Sequence, residues 1–139
     1  MVKRKEEIMA KIYNLKTSEY TLPPSAYYRT VYLIKDYPRL CQEAEAVMLA
    51  TPPQTETSEI QRQRSIRAAE TQAIKYASIM SDVRIIEDAL EVIPDDAQAA
   101  ILKNILYAEP YPIDRDKRTY GRYKQKYIYT VAQKKGIVT

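Results

Sequence analysis

Apolar positions recur at helical spacing through most of this chain, and short proline clusters divide the pattern. Ile8, Ile12 and Leu15, with Tyr13 beside them, predict a short amphipathic helix over about Lys5 to Leu15. The run Thr21-Leu22-Pro23-Pro24-Ser25 breaks it, because proline pushes the residue before it out of helical geometry yet is welcome in a first turn. A second helix then carries Tyr27, Tyr28, Val31, Tyr32, Leu33 and Ile34 to Asp36. Pro38 interrupts it, and Leu40, Ala44, Val47 and Met48 resume the pattern. This reads as either a kinked helix or, preferably, two helices meeting at a corner.

Residues 50–65 are polar, hold Pro52 and Pro53 and lack helical apolar spacing, which predicts a mobile linker longer than most connections. Ile66 to Ile93 is the longest helical pattern. Ala69, Ala73, Ala77, Met80, Ile86 and Leu90 define one broad face, with Ile74 and Val83 beside it, on a spine about 40 Å long. Pro94-Asp95-Asp96 ends it and starts Ala97 to Tyr107, since paired carboxylates suit the positive end of a helix. Residues 108–117 hold Pro110 and Pro112 and read as a connector. The final helix is expected to start on Thr119 as N-cap and to stop at Gly136.

The composition agrees with an all-α, single-domain helical bundle: 139 residues hold 2 glycines, and long stretches are rich in Ala, Ile, Leu, Glu, Lys and Arg. Residues 1–113 form the bundle, and residues 114–139 a basic C-terminal helix packed on the same core. Thirteen tyrosines stand without a single Phe or Trp, so every aromatic core contact brings a hydroxyl that needs a partner. Cys41 is the lone cysteine and reads as a small core residue, which fits a cytoplasmic, reducing setting. No apolar run is long enough for a membrane span, and the charged start does not resemble an export signal.

Charge is distributed unevenly. From Asp114 to the end there are eight basic and two acidic residues, whereas the first 113 residues hold fourteen basic and sixteen acidic. A positive field confined to one segment suits an anionic partner. Wound as a helix, that segment turns Tyr120, Tyr123, Tyr127 and Val131 inward, with Ile128 at the margin. Arg122, Gln125, Lys126, Tyr129 and Gln133 lie on the opposite side, and Gly121 stands near the tip. Arginine and glutamine suit guanine and adenine edges. Lys117, Arg118 and Lys124, with Arg115 just upstream, are placed for phosphates of double-stranded DNA. A glycine in the first turn allows close backbone approach, and the helix N-terminus has an anion affinity of its own. A solvated outer face is the plain alternative, but no acidic residue follows Lys117 to balance the charge. The stretch from Glu70 to Glu109 is acidic, including Asp82, Glu87, Asp88 and Glu91, and either meets a basic protein surface such as one on RNA polymerase or simply solvates the fold.

Enzymatic chemistry is not expected, and neither is a cofactor or a metal. The chain has no histidine, no glycine-rich phosphate loop and no second cysteine, while the Asp95-Asp96 pair is explained by capping.

Ile34-Lys35-Asp36-Tyr37-Pro38-Arg39-Leu40, the long central helix and the basic ending from Arg118 to Ala132 together resemble the RinA-like phage transcriptional activators of Gram-positive bacteria. The motif Tyr-x-x-Tyr-Lys-x-Lys-Tyr-Ile, at Tyr120 to Ile128, corresponds to that family's recognition-helix end and its buried continuation. The resemblance implies a phage or prophage regulator with a helix-turn-helix similar to region 4 of sigma factors, acting on phage promoters. Here only residues 108–118 separate Tyr107 from Thr119, so the motif's first helix is shortened, lost or supplied by Ala97 to Tyr107. A homodimer would match two-fold operator sites. Two other readings stand beside it: a phage accessory protein that inhibits a host protein or nucleoprotein such as a CRISPR effector, and a structural or packaging role.

Overall fold

A computed structural model describes residues 19–50 and 58–139, and within them all regular structure is helical. The expected helix at Lys5 to Leu15 lies outside the described residues. Helix α1 spans Pro24–Lys35, α2 Tyr37–Leu49, α3 Glu59–Asp88, a 3-10 turn Ala89–Val92, α4 Asp95–Tyr107 and α5 Lys117–Lys135.

The corner between α1 and α2 is one residue, Asp36, and Pro38 sits in the first turn of α2 where its missing N–H costs nothing. Two helices therefore meet there. Helix α2 runs antiparallel to α3: the Tyr37 hydroxyl donates to Glu87 at 3.0 Å, while at the other end the Gln72 amide donates to the carbonyls of Val47 and Ala50. Gln72 thus satisfies carbonyls that the end of α2 leaves without helical donors. Leu40, Ala44, Ile79, Val83 and Ile86 form the core of this hairpin, with Cys41 packed at its edge.

Three expectations about α3 change. Its helix begins at Glu59, so residues 59–65, expected in the linker, are helical: Ser58 caps the helix by accepting from the Gln61 N–H, and unbranched Gln and Arg side chains follow. The expected apolar face holds only towards the end of the helix, where Val83 and Ile86 are buried as expected. Ile66 and Ile74 are exposed, as are Ala69, Ala73 and Ala77, and the buried positions are Ile79, Val83 and Ile86. Only the last third of the helix lies in the core. The α-helix also ends at Asp88, and its last turn before Ile93 tightens to 3-10 geometry.

A second core surrounds α5, where Ile34, Ala89, Ile93, Ala97, Ile101 and Ile105 pack on Tyr120, Tyr127, Ile128 and Val131. Thr30, buried in α1, donates its hydroxyl to the Ala26 carbonyl at 2.7 Å. Gln98 on α4 donates to the Leu90 carbonyl at 3.0 Å and fixes the turn between α3 and α4. Helix α4 ends on Ala108 in the left-handed conformation, φ 54°, a place that normally favours glycine.

Candidate nucleic-acid interface

Helix α5 starts three residues earlier than Thr119 predicts. Asp116 is the N-cap, and its carboxylate accepts from the Arg118 N–H at 3.1 Å. The free anion affinity expected of this helix tip is therefore partly taken up by its own aspartate. The other end is as expected: Gly136 has φ 80°, the Ile137 N–H reaches back to the Ala132 carbonyl at 2.9 Å, and Gly136 N–H bonds Gln133.

The tyrosine-lined inner face holds. Tyr120 and Tyr127 are essentially inaccessible, Tyr123 is half-buried, and Ile128 is fully in the core and not at its margin. Each deeply buried hydroxyl has a partner. Tyr127 donates to the Ile86 carbonyl at 2.8 Å, and Tyr120 donates to Asp114. Burial raises the Tyr127 phenol well above its ordinary range; at Tyr120 the bond to Asp114 is the larger cause of a rise. Tyr111 stacks on Tyr120 with ring centroids 5.1 Å apart, which pins the connector 108–116 against the start of α5.

Two of the expected phosphate contacts turn inward. Arg115 pairs with Asp96 on α4, and its guanidinium lies over the rings of Tyr120 and Tyr123 at 5.9 and 5.7 Å. Its Nη1 is buried without a hydrogen-bond partner, so the aromatic faces supply its compensation. The same pair holds the Asp96 carboxyl below its usual range. Lys124 departs from the outer face altogether. It sits in the middle of the buried arc of α5, is half-buried, and donates to Asn104 Oδ1 at 2.9 Å. Burial lowers its ammonium, and Lys35 nearby lowers it further. Neither residue is a free contact for DNA.

Arg118, Arg122, Gln125, Lys126 and Tyr129 share the outer side, and Lys117 stands at the helix tip, in phase with Lys124. Lys117, Arg118 and Arg122 are exposed, and Gln125, Lys126 and Tyr129 are partly covered. Among the described residues nothing lies within 4 Å of where a Cβ at Gly121 would stand. What covers the lower half of this face is Tyr20, which the periodic pattern does not single out. Its ring meets Tyr129 edge-on at 5.6 Å, and the Lys126 ammonium lies 5.7 Å over it. The accessible row is thus concentrated in the first two turns.

Residues 108–116 between α4 and α5 are longer than the turn of about 3–4 residues in a helix-turn-helix. Of the acidic stretch, Asp82 pairs with Lys135 at 2.6 Å and Glu87 accepts from Tyr37, so part of that charge is engaged within the fold. No helix among the described residues is long and apolar enough to cross a membrane. Comparison of the chain with protein-family models, curated proteins and solved structures gives no match.

Proposed function

We propose that this chain is a DNA-binding transcriptional regulator of the phage type, in which the N-terminal half of α5 docks on duplex DNA. The observation that carries this reading is the pair Arg118 and Arg122, exposed, one turn apart and of one sign, with Lys117 exposed at the helix tip, on a helix whose other side is anchored by Tyr120, Tyr127 and Val131. A rigid backing makes such a row effective, because long side chains that start from a fixed helix lose less freedom on docking. Lys117 and Arg118 are placed for phosphates, and Arg122 with Gln125 for base edges. Lys126 and Tyr129, held by Tyr20, border the contact. Exposed Ile66 and Ile74 on α3 supply apolar surface for a two-fold dimer within the same reading.

Selection of duplexes from a random pool tests the base-reading half. The parent enriches a sequence motif, Arg122→Ala broadens it, and Lys124→Ala leaves it unchanged because Lys124 faces away from the row. Equal enrichment by parent and Arg122→Ala would overturn the assignment of that residue.

The cover that Tyr20 provides favours a second reading, inhibition of a host protein or nucleoprotein. Paired tyrosines such as Tyr20 and Tyr129 suit a protein-binding hot spot as much as a DNA-reading face. A host protein retained by the parent and released by Tyr129→Ala, with no duplex binding, would support it over the first.

A further inference from the structure

On the side of α5 opposite Arg122, a cleft of about 300 Å³ opens between α1, α5 and the end of α4, at the small end of the range for ligand sites. Its walls combine two kinds of group. Tyr28 and Tyr32 stand one turn apart on α1 and are 58% and 64% exposed, although large aromatic side chains usually bury much of their surface. Lys35 continues the same helix, and Lys124 reaches the cleft from α5, where Asn104 accepts from its ammonium. Among the described residues no carboxylate lines the cleft.

Two ammonium groups converging without an acid to balance them are costly in an empty cleft and favourable around an anion. The depressed ammonium of Lys124, lowered by burial and then by Lys35, agrees with that convergence. The exposed tyrosine rings beside them offer flat π-faces, and their hydroxyls offer donors. Anion-holding ammoniums next to unburied aromatic rings is the pairing that binds an unstacked nucleotide, with phosphate on the cations and base on the rings.

We infer that this cleft binds a single nucleotide unit, its phosphate held between Lys35 and Lys124 and its base stacked on Tyr28 or Tyr32. The site is separate from the outer row of α5 and does not depend on duplex binding by that row. The unit comes either from a free nucleotide or from an unpaired nucleotide within a strand, and the two sources share this chemistry.

Calorimetric titration of the full chain with thymidine monophosphate, with a six-nucleotide oligothymidylate and with inorganic phosphate tests it. Binding of the mononucleotide or the oligonucleotide, at least tenfold tighter than inorganic phosphate, is expected. An oligonucleotide tighter than the mononucleotide assigns the source to single strands, and equal affinity assigns it to free nucleotide. Tyr32→Ala and Lys35→Gln alter exposed side chains and leave thermal unfolding unchanged, yet each weakens binding by roughly fivefold or more, the low end of what one stacked base contributes. Arg122→Ala leaves it unaltered. No binding of either nucleotide ligand, inorganic phosphate binding as tightly as the nucleotide, or parent-like binding by both Tyr32→Ala and Lys35→Gln overturns the proposal.

Discussion

Tyr127 shows how a chain without phenylalanine builds its core. Its ring fills the centre of the cluster around α5, and its hydroxyl reaches the Ile86 carbonyl, joining α5 to the end of α3. Removing the hydroxyl in Tyr127→Phe should cost about 1 kcal/mol in denaturant unfolding near neutral pH, the typical net worth of such a bond. The pH dependence follows from the direction of the shift. The folded phenol titrates above the unfolded one, whose pKa is about 10, so its contribution is complete below pH ~10 and is lost as pH rises towards the folded value. Stability of the parent should fall above about pH 10, and Tyr127→Phe should lose less over the same span. Tyr37, raised by burial and by its bond to Glu87, and Tyr120, raised by its bond to Asp114, add to the same loss. Equal alkaline losses in Tyr127→Phe and the parent would contradict this account of the core hydroxyl. Ala108 offers the opposite sign. It occupies left-handed backbone without being glycine, so Ala108→Gly should stabilise the fold by roughly 0.5–1 kcal/mol, read as an increase in the denaturant midpoint. Residue-scale legibility was uneven in an instructive way. The inward tyrosines of α5 are visible from their spacing alone, because a 3.6-residue period aligns them. Lys124 is not, since a lysine reads as outward by composition. Its spacing, four residues after Tyr120 and three before Tyr127, places it in the buried arc, but the partner that accepts from its ammonium, Asn104, is twenty residues away, which no local pattern reveals.

At the scale of the element, the ends of α5 separate what local chemistry determines from what it leaves open. Gly136 as the terminating residue is legible, because few residues other than glycine occupy a φ of 80° without strain. The start is ambiguous, since Asp116 and Thr119 are both good N-caps and only the stacking of Tyr111 and the pairing of Arg115 decide where the chain turns in. Asp116→Ala should cost about 1 kcal/mol of stability and Thr119→Ala no more than about 0.5 kcal/mol, measured by urea unfolding. The reverse order would restore Thr119 as the cap. Helix α3 teaches a different lesson. Ala69, Ala73 and Ala77 repeat at regular helical spacing, but alanine is nearly as common on exposed helix as inside, so its period carries little information about burial. The true contact with α2 in that half runs through Gln72, a polar side chain that sits on the hairpin seam because the end of α2 has carbonyls to satisfy. The early start at Glu59 was hidden for a related reason: a solvated helix of Gln and Arg has no apolar stripe to betray it.

For the whole molecule, the two cores share α3 and its 3-10 continuation, so the α2–α3 hairpin and the α5 assembly are joined through Val83, Ile86 and Ala89. The all-helical class was legible from proline placement and helix-forming composition. The arrangement of α5 against α1, α4 and the 3-10 turn was not, because contacts between elements distant in sequence leave no periodic trace. This arrangement gives the basic residues of the C-terminal segment different work: Arg115 and Lys135 each pair with an aspartate within the fold, Lys124 faces the cleft with Lys35, Lys126 lies over Tyr20, Lys117 is exposed at the helix tip, and Arg118 and Arg122 are exposed on the outer row. A uniform basic helix is thereby reduced to a short, directed row. The proposed function rests on that row, and its electrostatic part is directly measurable. Affinity for duplex DNA should be determined across a range of salt concentrations for the parent and for the Arg118→Gln/Arg122→Gln double variant. The account predicts that the logarithm of the parent's association constant falls linearly with the logarithm of salt, at roughly −0.9 per phosphate contact, and that the double variant has a shallower slope. Absence of duplex binding by the parent at low salt, or an identical slope in the double variant, would contradict it.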